Sequence, residues 1–139
     1  MRLKVIKLDE LKASILYEDL KLNIDWKKVK QMKALYKKAI KYLNESSYEI
    51  YYEYDETNRL ERYEFVWRPV KGYNKSFRIV TLTINLSKDV LEYFGCNCDG
   101  FRKNKICSHV LATYIVLKKQ NQQMRKEIED AVRSLMKDS

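Results

Sequence analysis

The chain of 139 residues has little glycine, proline or histidine, and no long apolar run. Three Gly and one Pro are too few for long flexible linkers or for a disordered chain. No apolar run approaches the roughly 20 residues that a membrane-spanning helix needs. Charged side chains interrupt residues 1–11, which breaks the apolar core of a signal peptide. We therefore expect a folded domain that is cytoplasmic, neither secreted nor inserted in a membrane.

Recognisable catalytic motifs are also missing. The sequence contains no Gly-rich phosphate loop and no Ser-x-x-Lys or Gly-x-Ser-x-Gly element. Four glutamates in the middle of the chain are interpreted as the polar faces of strands: Glu49, Glu53, Glu61 and Glu64. Because no set of acid, base and nucleophile is evident, we expect that the protein is not an enzyme.

The charge of the chain is strongly positive and unevenly distributed. The net charge is +9, and residues 1–44 carry +7, residues 45–93 carry −2 and residues 94–139 carry +4. Such an excess favours a polyanionic partner, with nucleic acid first and an anionic membrane second. A charge excess that serves only solubility is the alternative.

Three segments are predicted to be helical. Residues 25–44 repeat apolar side chains at three- and four-residue steps, with Asp25 as N-cap, and should pack against the sheet that follows. Residues 108–137 form either one long helix or two consecutive helices, and residues 9–20 form a short one. The lysines opposite the apolar stripe of the 25–44 helix either follow phosphates or are simply solvated: Lys27, Lys30, Lys37 and Lys41.

Four segments have the alternation of β-strands with one buried face: 47–54, 60–68, 76–86 and a fourth that starts over 90–94. Short turns between them predict an antiparallel meander, with a possible bulge near Ile79 and Val80. Aromatic side chains crowd the first two strands, where they either form the core or stack on single-stranded bases: Tyr48, Tyr51, Tyr52, Tyr54, Tyr63 and Trp67. The expected class is α+β, with residues 1–75 and 76–139 as two segments of one compact domain.

The strongest motif is a cluster of metal-ligand residues within 14 positions. Cys96-x-Cys98 and Cys107-x-His109 supply three thiols and the single histidine, which suits the four tetrahedral ligands of a structural zinc ion. An odd, tightly spaced cysteine set argues against a disulfide framework and for a reducing compartment. Residues 101–106 are predicted to form a basic loop between the pairs. Buried unliganded cysteines and an iron–sulfur cluster are the alternatives.

Around these residues the sequence resembles the SWIM zinc finger, over roughly residues 80–118. The core of the match is CNCDGF followed by ICSHVLATYIV, and Phe101 matches the aromatic residue after the first pair. Ala112 matches the Cys-x-His-x-x-Ala form of the recombination-linked, Shu-complex-like branch. The resemblance implies a β-hairpin that delivers the first ligand pair, a helix that delivers the second, and interaction with DNA or protein.

Two functions are therefore predicted. The first is binding of nucleic acid, most simply DNA, through the helix lysines and through basic residues near the finger: Arg102, Lys103, Lys105, Lys118 and Lys119. The second is a protein-interaction subunit that partners a recombinase-like ATPase or another DNA-processing factor in recombination and repair. An exposed apolar face over residues 110–135 would favour the second function, and a continuous basic surface would favour the first.

Overall fold

The computed structural model describes residues 4–8, 11, 33–72, 75–119 and 133, and it confirms the α+β class. Its elements, in chain order, are β1 (Lys4–Ile6), α1 (Lys33–Glu45), β2 (Tyr48–Asp55), β3 (Leu60–Trp67), β4 (Arg78–Asn85), β5 (Val90–Cys96), α2 (Asp99–Asn104) and α3 (Ser108–Lys119). Among these described elements, no helix has the length and apolar character needed to cross a bilayer.

The five strands form one antiparallel sheet in the order β1-β2-β3-β4-β5. The four predicted strands agree with β2 to β5 to within two residues at each described end that was predicted. The bulge was predicted at the wrong place. The register shifts between Thr83 and Ile84, where Glu92 is the extra residue of β5.

β1 was not predicted from the sequence, and neither was α2, which is described below with the metal centre. β1 has only three residues and pairs with β2 through Lys4 and Tyr52, Val5 and Tyr51, and Ile6 and Ile50. A strand this short is below the length at which alternation can be recognised. Of the predicted helix 9–20 the structure describes Leu11 alone, which lies in no helix, and residues 25–32 of the next predicted helix lie outside the described part of the chain.

Alternation along the strands separates an inner face from an outer face. Tyr63, Phe65 and Trp67 of β3 are fully buried on the inner face, beside Val80 and Leu82 of β4. The crowded aromatics of β2 and β3 therefore mainly build the core, and they are not an open stacking surface. Of that set, Tyr51 lies on the outer face, where its hydroxyl donates to Glu49 over 2.6 Å.

Glu61 corrects the interpretation of the strand glutamates. It shares the inner face with Tyr63 and is 2% exposed. Tyr52 donates a hydrogen bond of 2.8 Å to its carboxylate. The position has the same parity as three aromatic core residues, so its burial follows from the register of β3.

The helices cover the inner face. Residues 110–117 of α3 are all buried, and α3 packs on β4 and β5. The sheet was expected to be the main partner of the preceding helix, but α1 packs chiefly on α3. Tyr36, Ala39 and Tyr42 form the buried side of α1.

Candidate metal centre

Four elements bring the predicted ligands together. Cys96 is the last residue of β5, Cys98 is the N-cap of α2, Cys107 lies in the link to α3, and His109 is the second residue of α3. One ligand atom from each lies within 4.8 Å of all the others. The Cys96 Sγ and His109 Nδ1 atoms are 3.7 Å apart. All four side chains are buried, at 3–7% exposure.

The turn between the first two ligands is attached to the neighbouring strand. The backbone N–H of Asn97 donates to the carbonyl of Ile79 over 3.2 Å. The Asn97 side-chain oxygen accepts from the N–H of Ile79 over 3.0 Å. This pair of bonds extends the β4–β5 ladder past Cys96. The chain then turns, and the sulfur atoms of Cys96 and Cys98 lie within 4.8 Å of each other.

Two backbone amides point at thiol sulfurs. Phe101 N–H donates to Cys98 Sγ and Val110 N–H donates to Cys107 Sγ, each over 3.4 Å. Hydrogen bonds of this kind favour the ionised thiolate, which is the form that binds a metal. The first turn of α2 therefore stabilises the thiolate form of Cys98, and the first turn of α3 stabilises that of Cys107.

The segment between the two ligand pairs is helical, which corrects the predicted loop. Residues Asp99–Asn104 form α2, with the thiol of Cys98 as N-cap. Lys105 ends the helix in the left-handed conformation, with φ of 61°, and its N–H donates to the carbonyl of Phe101 over 2.8 Å. The sequence offers no Ser, Thr, Asp or Asn in the cap position, and so the usual signal for a helix start was absent.

The thiols influence one another's ionisation. Hydrogen bonds from Cys107 and Cys96 lower the pKa of the Cys98 thiol. Hydrogen bonds to Cys96 and Cys98, together with burial, raise the pKa of Cys107. Cys98 is therefore the more readily ionised of these two thiols. A divalent cation bound by the cluster would favour ionisation of the other thiols and would release their protons.

A cavity of about 480 Å³ adjoins the cluster. Its walls include Cys98, Cys107 and His109, together with Lys38 of α1 and Arg78 at the start of β4. In the described part of the chain, no hydrogen-bond partner reaches the buried Nε of Arg78. Arg78 was not singled out from the sequence. Its even position puts it on the inner face with Val80 and Leu82, next to the predicted ligands, and that parity was a usable signal.

The residues present fit a metal ion. A tetrahedral zinc ion with Zn–S bonds of about 2.3 Å separates its ligand atoms by roughly 3.5–4 Å, and the cluster needs only a small contraction to reach that spacing. The orientation of His109 makes Nδ1 the ligating nitrogen. Its Nε2 is buried and has no hydrogen-bond partner among the described residues. The cluster can therefore hold a metal, through Cys96, Cys98, Cys107 and His109.

The predicted basic residues divide into three groups. Arg102, Lys103 and Lys105 are exposed beside the cluster, and Arg102 is paired with Asp99. On α1, Lys37 is exposed, whereas Lys41 is half-exposed and lies 3.5 Å from Glu45. Lys118 and Lys119 end α3, but their side chains lie outside the described part, as do Lys27 and Lys30 entirely.

Comparison with known proteins gives no relative for this chain. No protein-family model, no curated protein and no solved structure matches it.

Proposed function

We propose that this chain is a small zinc-binding protein in which a structural Cys₃His centre positions a basic segment for contact with nucleic acid, most simply DNA. The observation that carries the proposal is the position of α2. Its N-cap is the ligand Cys98, its C-cap Lys105 lies two residues before the ligand Cys107, and it exposes three cations, Arg102, Lys103 and Lys105, against one carboxylate, Asp99. A metal bound between these ends would fix the segment that carries Arg102, Lys103 and Lys105.

The chemistry of the four ligands favours zinc. Three thiolates and one imidazole form a closed set, which is typical of structural zinc sites and leaves no coordination position for a substrate. The proposal therefore assigns no catalytic role to the centre. The metal would contribute to folding, since binding energy at a site of this kind is also folding energy.

The basic residues near the centre support a polyanionic ligand. Lys103 and Lys105 have no ion pair within the described residues, and the partner of Arg102 is an exposed carboxylate. An exposed ion pair contributes about 0–1 kcal/mol, so a phosphate can replace Asp99 at little cost. Lys38 and Arg78 line the cavity next to α2, which brings the charge of α1 toward the same region.

The arrangement of the ligands also agrees with the SWIM resemblance. The first pair follows a hairpin strand, β5, and His109 begins a helix, α3. The resemblance adds the expectation of a role in recombination or repair. That part of the proposal rests on the motif alone.

The alternative function, a subunit for a protein partner, was predicted from the SWIM resemblance, the C-terminal helix and the aromatic strands, and an exposed apolar face over residues 110–135 would favour it. Residues 110–117 are buried in the core, so this part of the face is not available to a partner. Lys118 and Lys119 end α3, and of residues 120–135 the structure describes Arg133 alone. We therefore place nucleic acid first.

The test is fluorescence anisotropy of labelled single- and double-stranded DNA with zinc-loaded protein at about 50 and 200 mM salt. We expect micromolar or tighter binding that weakens steeply with salt. The double variant Lys103→Gln/Lys105→Gln should weaken binding and reduce the slope of log K against log salt by about 2. Lys88→Gln, in the exposed turn at the opposite end of the β4–β5 hairpin, is the matched control and should bind as the wild type does.

Absence of binding to either DNA form at low salt would refute nucleic acid as the ligand. Equal weakening by the control and by the double variant would show a general charge effect without a site at α2. Metal analysis of the purified protein should give one zinc per chain, and a metal-free folded protein would remove the proposed centre.

A further inference from the structure

The outer face of the sheet is divided into two halves of different character. On β2 and β3 it carries ion-paired side chains: Arg62 lies 3.4 Å from Glu53 and 3.6 Å from Glu64, and Arg68 lies 3.7 Å from Glu49. On β4 and β5 the outer positions include Thr81, Thr83 and Tyr93, and the exposed Glu92 at the bulge is the one acidic residue of these two strands. Apart from Glu92 this β4–β5 half of the outer face is neutral, and we call it the neutral half.

Gly95 lies within this neutral half of the outer face. It lies on the outer side of β5, opposite Thr81, and yet it is buried. A Cβ atom at this position would fall 2.5 Å from Cζ of Tyr93 and 2.7 Å from Cε1 of Phe101. The two aromatic rings therefore converge directly on the backbone of the glycine, and no larger residue fits there without a shift of both rings.

Tyr93 lies against the backbone of Gly95 and is still accessible. Its ring lies along the strand with the phenol end over Gly95, and 46% of the residue is exposed. Phe101 is half-buried and packs against the core, which fixes the neighbouring ring. An aromatic side chain has only two rotatable bonds, so it loses little conformational freedom when a flat ligand stacks on it.

The cations of α2 are adjacent to these rings in the chain. Phe101 precedes Arg102 and Lys103 directly, and its carbonyl accepts the hydrogen bond from Lys105. Glu92, the acidic side chain of β5, is engaged by the amide of Asn85 over 2.6 Å. The environment of Tyr93 thus combines aromatic rings, the cations that follow Phe101 and one carboxylate that is already hydrogen-bonded. Rings beside cations match the bases and phosphates of a nucleic acid.

We propose that Tyr93 and Phe101 form a stacking platform for an unpaired base, and that the flanking phosphates of a single strand contact Lys103 and Lys105. This inference rests on the proposed nucleic-acid binding and names its form: single-stranded, with little dependence on base identity. Stacking on aromatic rings next to a basic groove is the common mode of sequence-tolerant single-strand binding. In a duplex the bases are stacked on each other and cannot reach the platform.

The test compares Tyr93→Ala with Tyr93→Phe, which keeps the ring. The probes are a labelled oligo-dT, the same strand with abasic sites, and a duplex of equal length. We expect the wild type to prefer oligo-dT, and Tyr93→Ala to bind it about 10-fold more weakly, as alanine substitution at stacked bases does elsewhere. Tyr93→Phe should bind as the wild type does. Abasic sites should weaken the wild type to the level of Tyr93→Ala, and they should not affect that variant further.

The outcomes separate this inference from the proposed function. If Tyr93→Ala binds oligo-dT normally and Lys103→Gln/Lys105→Gln binds it weakly, the platform is wrong and the phosphate contact stands. If the wild type binds no nucleic acid, both fail. If Tyr93→Ala changes the oligomeric state in size-exclusion chromatography while DNA binding is unaltered, the neutral half is an interface between copies and the platform is overturned. The melting temperature of each variant is measured as a control that the fold is retained.

Discussion

Trp67 and Thr113 are joined by a hydrogen bond of 2.8 Å between the indole Nε1 and the hydroxyl oxygen, and both residues are fully buried. The same hydroxyl donates to the carbonyl of His109, again over 2.8 Å. The central strand β3 is therefore connected through one side chain to the turn of α3 that carries a candidate metal ligand. Sheet packing and the metal centre share this contact.

Replacement of Thr113 should show how much its hydrogen bond with Trp67 contributes to stability. Thr113→Val keeps the shape but leaves the indole N–H of Trp67 buried without an acceptor, which costs about 1–3 kcal/mol of unfolding free energy. Thr113→Ser retains the hydroxyl and should lose less. Denaturant unfolding measures both variants. If Thr113→Val has the same unfolding free energy as the wild type, the hydrogen bond contributes nothing to stability.

The metal ligands should be required for folding. Cys98→Ser removes one thiolate and the sulfur that caps α2, so we expect loss of metal and either an unfolded chain or a strong fall in melting temperature. Treatment of the wild type with a chelator should have a similar effect. Circular dichroism melts with and without chelator make the comparison. A wild type that melts at the same temperature after complete removal of metal would contradict a structural role.

Arg78 should strengthen metal binding. Three thiolates and one divalent ion carry a net charge of −1, and the guanidinium of Arg78 lines the cavity beside them. We expect Arg78→Met to weaken metal affinity by about 10-fold, as other residues behind a metal centre do. Lys38→Met, an exposed residue on the same cavity, is the control. Competition with a chromophoric chelator gives the affinities, and equal affinity for wild type and Arg78→Met would rule out this contribution.

The buried pair of Tyr52 and Glu61 predicts a loss of stability in alkali. Burial, and then the hydrogen bond to Glu61, raise the pKa of Tyr52 above the usual tyrosine value of 10. Above about pH 10 the unfolded chain loses the phenol proton first, so the stabilisation is complete below that pH and is lost as pH rises toward the folded pKa. We expect wild type to be more stable than Tyr52→Phe at pH 8, and the difference to shrink by pH 11. A constant difference in unfolding free energy would show that Tyr52 titrates normally.

Much of the fold could be predicted from the sequence because alternation is strong in β2 to β5. Tyr63, Phe65 and Trp67 share one parity, which fixes the inner face and the register. The gathering of Cys96, Cys98, Cys107 and His109 into one candidate site could also be predicted, since Cys and His are rare in this chain and are concentrated in one short segment.

The features that were missed depend on tertiary context. α2 begins at a thiol, whose capping role is created by the same fold that gathers the ligands. Glu61 and Arg78 are charged residues at inner-face positions. The general rule that charged side chains face solvent gave the wrong face for Glu61 and left Arg78 unconsidered. For Glu61, the phenol of Tyr52 donates to one carboxylate oxygen, and this partner comes from the neighbouring strand.

Lys105 combines a charged side chain with a backbone angle that suits glycine. An L-residue in the left-handed region costs roughly 1–2 kcal/mol, and the chain accepts this cost at the end of α2. A sequence optimised only for stability would carry glycine at this position. If Lys105 contacts phosphate as proposed, the most stable version of this protein would be a weaker binder, and thermostability selections should be expected to discard this lysine early.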